Sequence, residues 1–150
     1  MKNSRLVSTA QKLATWWHDE QLGQTRKFSG ESYSVHPRQV AELYAKHLDS
    51  ADEVGIAVCW LHDVFEDVDK SGTRYNLERF YKQFMFDPAA ANKILAACLQ
   101  LVSVETLSGQ AEDRVGLQVA ELARTAGLSQ LAANVKLLDI ASNAMSSFDR

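Results

Sequence analysis

Residues that break or bend helices are scarce in this sequence. It contains only two prolines and seven glycines among 150 residues, and no stretch alternates apolar and polar residues as a β-hairpin does. Helix-forming residues dominate, and no repeat, low-complexity tract or linker divides the chain. The sequence therefore predicts an all-α fold in a single domain that spans residues 1–150.

The sequence also lacks the features of secreted, membrane-spanning and nucleic-acid-binding proteins. No apolar stretch is long enough to cross a bilayer, and the N-terminal residues lack the apolar core of a signal peptide. A formal net charge of −3 gives no basic surface for nucleic acid or anionic lipid. The two cysteines, Cys59 and Cys98, lie in apolar helical patterns, which predicts buried thiols in a reducing cytoplasm. The sequence leaves the oligomeric state open.

Apolar residues at helical spacing predict about six to seven helices. In chain order these are about 4–22, His36-Pro37 to Leu48, 54–67, 77–84, Asp87-Pro88 to Val102, 111–127, and Ser129 to Met145. Asp87 and Ser129 are the predicted N-caps of the fifth and last helices. The aromatic residues Phe80, Tyr81 and Phe84 of the fourth helix are predicted to face the core.

The apolar run at 54–61 leads directly into imidazole and carboxylate side chains. His62 and Asp63 come first, and Glu66 and Asp67 follow at i,i+4 spacing, with no lysine or arginine among them. Carboxylates crowded at the end of a buried helix are unfavourable unless a cation neutralises them. Mixed imidazole and carboxylate ligands suit a first-row divalent metal. The alternative is that these residues form only the solvated end of a core helix.

Further candidate residues lie elsewhere along the chain. His36 is held at a helix start, where a histidine also serves as a cap or packs against the core. Asp139 lies among apolar residues of the last helix, where it either pairs with Lys136 or supplies a fourth metal ligand. Arg26 and Lys27 lie in a loop before His36, and they either bind phosphate or form a solvated basic pair.

These residues form one ordered pattern. In chain order it consists of Arg26-Lys27, Gly30, Tyr33, His36-Pro37, Leu61-His62-Asp63, Glu66-Asp67, Val135-Lys136, Asp139 and Asn143. The pattern resembles the HD-domain metal-dependent phosphohydrolases, and among them the hydrolases of guanosine 3′,5′-bis(diphosphate), ppGpp. That group includes the small alarmone hydrolases and the hydrolase domain of bifunctional stringent-response enzymes. The resemblance runs from about residue 10 to 147. Ser32 and Ile140 depart from it, where the family usually has proline and a basic residue.

The resemblance implies an all-α HD-domain bundle that binds one divalent ion, most commonly Mn²⁺. The implied metal ligands are His36, His62, Asp63 and Asp139. Glu66 and Asp67 would orient and activate the attacking water. The residues implied beside the nucleotide are Arg26, Lys27, Tyr33, Lys136 and Asn143. The implied reaction is hydrolysis of ppGpp, a small-molecule substrate, to GDP and pyrophosphate.

Two alternative functions stay open at the level of the sequence. One is an HD phosphohydrolase that acts on another nucleotide, such as a deoxynucleoside mono- or triphosphate. The other is a non-catalytic nucleotide-binding domain that keeps the metal. The intact Glu66-Asp67 pair favours catalysis over the second alternative. The Tyr-x-x-His-Pro element favours ppGpp over other nucleotides, because HD phosphohydrolases of other substrate classes generally lack it.

Overall fold

The computed structural model describes residues 4–21, 23, 30–65, 70–101 and 129–148. Within these ranges the chain forms six α-helices and one π-helix and no β-strand, which confirms the predicted all-α fold. In chain order the elements are α1 (Arg5–Thr15), the π-helix (Trp16–Gln21), α2 (Val35–His47), α3 (Glu53–Leu61), α4 (Lys70–Phe84), α5 (Pro88–Gln100) and α6 (Gln130–Phe148). None of these helices is both long enough and apolar enough to cross a membrane. The helix predicted at 111–127 lies outside the described residues.

Helix α3 lies at the centre of the described core. Every residue from Gly55 to Leu61 is buried, and helices α1, α2, α5 and α6 pack against α3. A helix that is apolar on all sides is typical of a fully enclosed position. Cys59 in α3 and Cys98 in α5 are buried free thiols, as the apolar patterns around them predict.

A hydrogen-bonded cap fixes the start of α3. The Asp52 carboxylate accepts a hydrogen bond from the backbone N–H of Gly55 at 2.9 Å and another from the hydroxyl of buried Tyr44 at 2.6 Å. Burial and the Asp52 carboxylate both raise the pKa of Tyr44. A Cβ atom at residue 55 would overlap the Tyr44 hydroxyl and the Asp52 carboxylate, so only glycine fits there without movement. Because Tyr44 belongs to α2, the cap also joins α2 to α3.

Both predicted N-caps are confirmed. The side chains of Asp87 and Ser129 accept from backbone N–H groups three residues ahead, at 3.1 Å and 3.2 Å. Two predictions about the fourth helix, its first residue and the burial of Tyr81, are wrong. It begins at Lys70 rather than near residue 77, although residues 70–76 include serine, glycine, threonine and asparagine, which have lower helix propensity than lysine or arginine. Tyr81 is half exposed, because the stacked rings of Phe80 and Phe84 occupy the inward face and the next position is rotated about 100° away.

Candidate metal centre

Helix α3 ends at Leu61, and the following turn presents His62 and Asp63. Nδ1 of the His62 ring lies 2.6 Å from the carbonyl oxygen of Cys59, and because a carbonyl only accepts, Nδ1 must be the donor. In a continuing α-helix that carbonyl would accept from the backbone N–H of residue 63. The imidazole takes over this role, and residues 62–65 form turns instead of the helix that the sequence predicts through residue 67.

The π-helix helps to hold the start of α2, where His36 lies. Its Asp19 carboxylate accepts from the backbone N–H of Ser34 at 3.2 Å and from the Ser34 hydroxyl at 2.6 Å. Two residues later, His36 is buried and places its Nε2 atom 2.7 Å from Oδ1 of Asp139. Short π-helical segments are frequent at functional sites, and here one anchors the residue before the helix that carries a candidate ligand.

Asp139, on α6, lies between the two imidazole rings. Its Oδ1 atom is 2.7 Å from Nε2 of His36 and 3.2 Å from Nε2 of His62, and its side chain is only 17% exposed. These contacts disfavour the alternative in which Asp139 serves only as the partner of Lys136 on a solvated helix face. Helix α6 packs against both α2 and α3, which is how it reaches both histidines.

The four predicted ligands converge on one point. One ligand atom each from His36, His62, Asp63 and Asp139 lies within 4.8 Å of the others. The nitrogen–oxygen separations in this cluster range from 2.7 to 3.8 Å. Ligand atoms about 2.1 Å from a shared divalent ion lie about 3.0–3.4 Å apart in tetrahedral or octahedral geometry. The cluster therefore has the composition and the spacing of a site that could hold a divalent metal ion.

The charges of the cluster favour a cation at its centre. With Nδ1 of His62 donating to Cys59, the neutral ring directs the Nε2 lone pair at oxygens of Asp63 and Asp139, each 3.2 Å away. Burial alone lowers the pKa of His62, but the two carboxylates outweigh burial and raise it well above 6.5. Burial raises the pKa of Asp63 and of Asp139, but the neighbouring histidines outweigh it and hold both values below 3.8. A positive charge between these groups, from a proton or a metal ion, therefore offsets the two carboxylates.

Tyr33 lies directly against this cluster. Its hydroxyl donates to Oδ2 of Asp63 at 2.6 Å, so it orients a candidate ligand. Its ring packs against that of His18, with centroids 4.6 Å apart. His18 is buried and lies outside the candidate ligand set. The part that the family resemblance assigns to Tyr33, at the nucleotide, stays a prediction.

A small cavity opens beside the candidate ligands. Its volume is about 20 Å³, enough for one water molecule. The residues that line it are His62, Asp63, Leu101, Val135, Lys136 and Asp139. The Lys136 side chain thus lies on the ligand-bearing side of α6. Asn143, one turn beyond Asp139 on the same helix, places its amide nitrogen 3.5 Å from Oδ1 of Asp139.

Four predicted site residues, Arg26, Lys27, Glu66 and Asp67, lie outside the described residues. In the other direction, the structure adds a residue that the sequence interpretation missed. The Ser142 hydroxyl lies 3.0 Å from Nδ1 of His36. The sequence carries only a weak signal for it, namely its position three residues after Asp139 on the same face of α6.

No protein-family model matches this sequence, and no curated protein matches it either. The resemblance to the HD phosphohydrolases stays a prediction from the motif residues, four of which the structure brings together.

Proposed function

We propose that this chain is a metal-dependent phosphohydrolase of the HD type, with ppGpp as its substrate and GDP and pyrophosphate as its products. The observation that carries the proposal is the cluster of His36, His62, Asp63 and Asp139, which brings two imidazoles and two carboxylates from three separate segments within 4.8 Å. At a solvated helix end these imidazoles and carboxylates would lie apart from one another. A purely structural ion pair would require only two of the four side chains.

Mn²⁺ suits this donor set, because imidazole and carboxylate ligands together favour a first-row divalent ion. The geometry also supports a site whose ligands are already oriented before a metal ion binds. Nδ1 of His62 donates a hydrogen bond to the Cys59 carbonyl, and Oδ2 of Asp63 accepts one from the Tyr33 hydroxyl. Ligands that are oriented by a second hydrogen bond hold a metal more tightly than free ones.

A divalent ion held at this cluster would polarise a phosphoryl oxygen and make a nearby water more acidic. The residues of the chain supply the remaining functions. The Lys136 side chain, beside the cavity, is positioned to offset negative charge on a phosphoryl group. Glu66 or Asp67 would accept a proton from the attacking water. The water oxygen bonds to the phosphorus as the bond to the ribose 3′ oxygen breaks, and that oxygen receives a proton.

The choice of ppGpp depends on the family resemblance and on charge. Arg26 and Lys27 precede the Tyr33-x-x-His36 element in the sequence. An arginine can stack on a purine and bond to phosphate, whereas a lysine acts as a point charge. Together with Lys136, they would provide positive charge around an acidic metal centre. That combination favours a purine nucleotide with phosphates at more than one position.

A product assay tests this proposal directly. The protein is incubated with Mn²⁺ and ppGpp, and GDP and pyrophosphate are quantified by anion-exchange chromatography. The same assay is run on GTP and on deoxynucleoside mono- and triphosphates. We expect equal amounts of GDP and pyrophosphate from ppGpp, and loss of both when the metal is chelated.

Two substitutions separate catalysis from metal binding. Glu66→Gln and Asp67→Asn are expected to remove most turnover and to leave Mn²⁺ content near that of the wild type, while Glu42→Gln, on the exposed side of α2, serves as the control. Release of product only from a deoxynucleotide would reassign the substrate. A protein that binds Mn²⁺ and nucleotide without turning over any substrate would be a binding domain.

A further inference from the structure

We infer that Ser142 and Gln39 are positioning residues that fix the tautomer of His36 and leave its Nε2 lone pair free for a metal ion. This inference rests on the proposed metal-dependent function, but it concerns residues outside the ligand set. It assigns a purpose to a buried polar side chain that neither the motif pattern nor the core explains.

The geometry forms a continuous hydrogen-bonded chain. Nδ1 of His36 lies 3.0 Å from the hydroxyl oxygen of Ser142, and that hydroxyl donates to Oε1 of Gln39 at 2.5 Å. Ser142 is fully buried on α6, whereas Gln39 is partly exposed on α2, one turn after His36. This series of hydrogen bonds therefore begins at a candidate ligand, His36, and ends at a side chain near solvent, Gln39.

The direction of these hydrogen bonds determines the tautomer. A hydroxyl has one hydrogen to donate, and once Ser142 donates it to Gln39, its oxygen can only accept from His36. Nδ1 must then carry the ring hydrogen, and Nε2 of the neutral ring keeps its lone pair. If Ser142 donated to Nδ1 instead, the hydrogen would reside on Nε2 and would point at Asp139, 2.7 Å away. That form blocks metal binding.

Each histidine of the centre thus has a different acceptor for its Nδ1 hydrogen. For His62 the acceptor is the Cys59 carbonyl, which has no hydrogen to donate and sets the tautomer alone. Ser142 is ambiguous because a hydroxyl both donates and accepts. Gln39 removes the ambiguity by accepting the hydroxyl hydrogen. The same serine lies one turn after Asp139 on α6, so the contact also aligns His36 with that carboxylate.

Substitutions at both positions test the inference. Gln39→Met removes the acceptor at similar length, and Ser142→Ala removes the hydroxyl. Ser142→Thr restores a hydroxyl and is the rescue control for Ser142→Ala, and Arg38→Met, at an exposed neighbouring position on α2, is the control for Gln39→Met. Circular dichroism establishes that each variant keeps its helices. Because Gln39 is partly exposed, Gln39→Met decides the matter if Ser142→Ala does not fold.

Two measurements are made on each folded variant. Long-range ¹H–¹⁵N spectra of the protein loaded with diamagnetic Zn²⁺, which stands in for the cation at the centre, report which ring nitrogen of His36 carries the hydrogen. Free Mn²⁺ counted by electron paramagnetic resonance reports affinity. We expect the hydrogen on Nδ1 in the wild type and in Ser142→Thr, and a mixture or the opposite tautomer in Gln39→Met and Ser142→Ala. Mn²⁺ affinity should fall about tenfold to a hundredfold in those two variants, as it does when outer hydrogen-bond partners are removed.

The outcomes separate this inference from the proposed function. An unchanged His36 tautomer in Gln39→Met, or affinity equal to that of the wild type, would overturn the inference even if ppGpp is hydrolysed. A shifted tautomer together with weaker Mn²⁺ binding would support it even if ppGpp proves not to be the substrate. A wild-type protein whose His36 carries its hydrogen on Nε2 would overturn it outright, whether or not Mn²⁺ binds.

Discussion

Asp139→Asn should remove most of the stabilisation that Mn²⁺ gives to the folded protein. The substitution keeps the shape of the side chain but replaces the charge that lies 2.7 Å from His36 and 3.2 Å from His62. In the wild type, an ion at one hundred times its dissociation constant stabilises the folded state by about 2.7 kcal/mol. For a chain of this length that corresponds to a rise of about 5–10 °C in Tm. With one of two carboxylate ligands gone, we expect a rise below about 2 °C at the same Mn²⁺ concentration.

Thermal unfolding followed by circular dichroism at 222 nm, first with chelator and then with Mn²⁺, measures this difference. The increment caused by Mn²⁺ is the relevant quantity, because Asp139→Asn also changes the metal-free protein. Removing one partner of a buried charge pair costs about 3–5 kcal/mol, and the lower figure applies to a carboxylate that keeps some exposure. Glu42→Gln, on the exposed side of α2, controls for the loss of a charge as such. An equal Mn²⁺ increment in Asp139→Asn and in the wild type would refute Asp139 as a ligand.

Three further predictions concern a hydrogen bond to a candidate ligand, the cap at the start of α3 and the pKa of His62. Tyr33→Phe removes the 2.6 Å hydrogen bond to Asp63, and Mn²⁺ affinity measured by calorimetry should fall by about tenfold; unchanged affinity would make that bond incidental. Gly55→Ala should lower the free energy of unfolding in urea by about 1–3 kcal/mol, because the new Cβ would overlap the Tyr44 hydroxyl; a neutral result would mean that the α3 cap yields easily. In chelator, the raised pKa of His62 gives a stability contribution that is fully present below its unfolded pKa of about 6.5 and is lost as pH rises through the folded value. Urea unfolding from pH 6 to 10 should show this loss, with Mn²⁺ reversing it, and a flat profile would contradict the assignment.

The candidate ligand set was accessible from the sequence because the motif pattern that resembles the HD phosphohydrolases contains all four residues. His62 and Asp63 follow a run whose apolar character predicts burial, and the motif pattern adds His36 and Asp139. The structure brings all four together within 4.8 Å. The two N-caps were accessible for a similar reason, since a capping side chain and the N–H groups that it accepts from lie within one turn.

The contacts that orient the candidate ligands could not be predicted from the sequence in the same way. The contact between His36 and Ser142 joins residues 106 positions apart, and serine is too common for its presence to indicate a partner. The end of α3 at Leu61 depends on the His62 side chain bonding to the Cys59 carbonyl. The orientation of the His62 ring also depends on the carboxylates of Asp63 and Asp139. Asp139 is distant in the sequence, so no local pattern predicts this orientation. The π-helix likewise follows α1 without any glycine or proline to mark the change.

The site places a proton and a metal ion in competition for one position. Asp63 and Asp139 both direct an oxygen at Nε2 of His62, and the hydrogen bond to Cys59 leaves that nitrogen without a hydrogen of its own in the neutral ring. Either a proton or a metal ion must therefore lie there for the three groups to remain together in a buried setting. The proton is the weaker occupant at alkaline pH, and Mn²⁺ binding would release it. The candidate ligands from α2, from the turn after α3 and from α6 thus surround one position, and the metal ion of the proposed chemistry would offset the charge of the two carboxylates there.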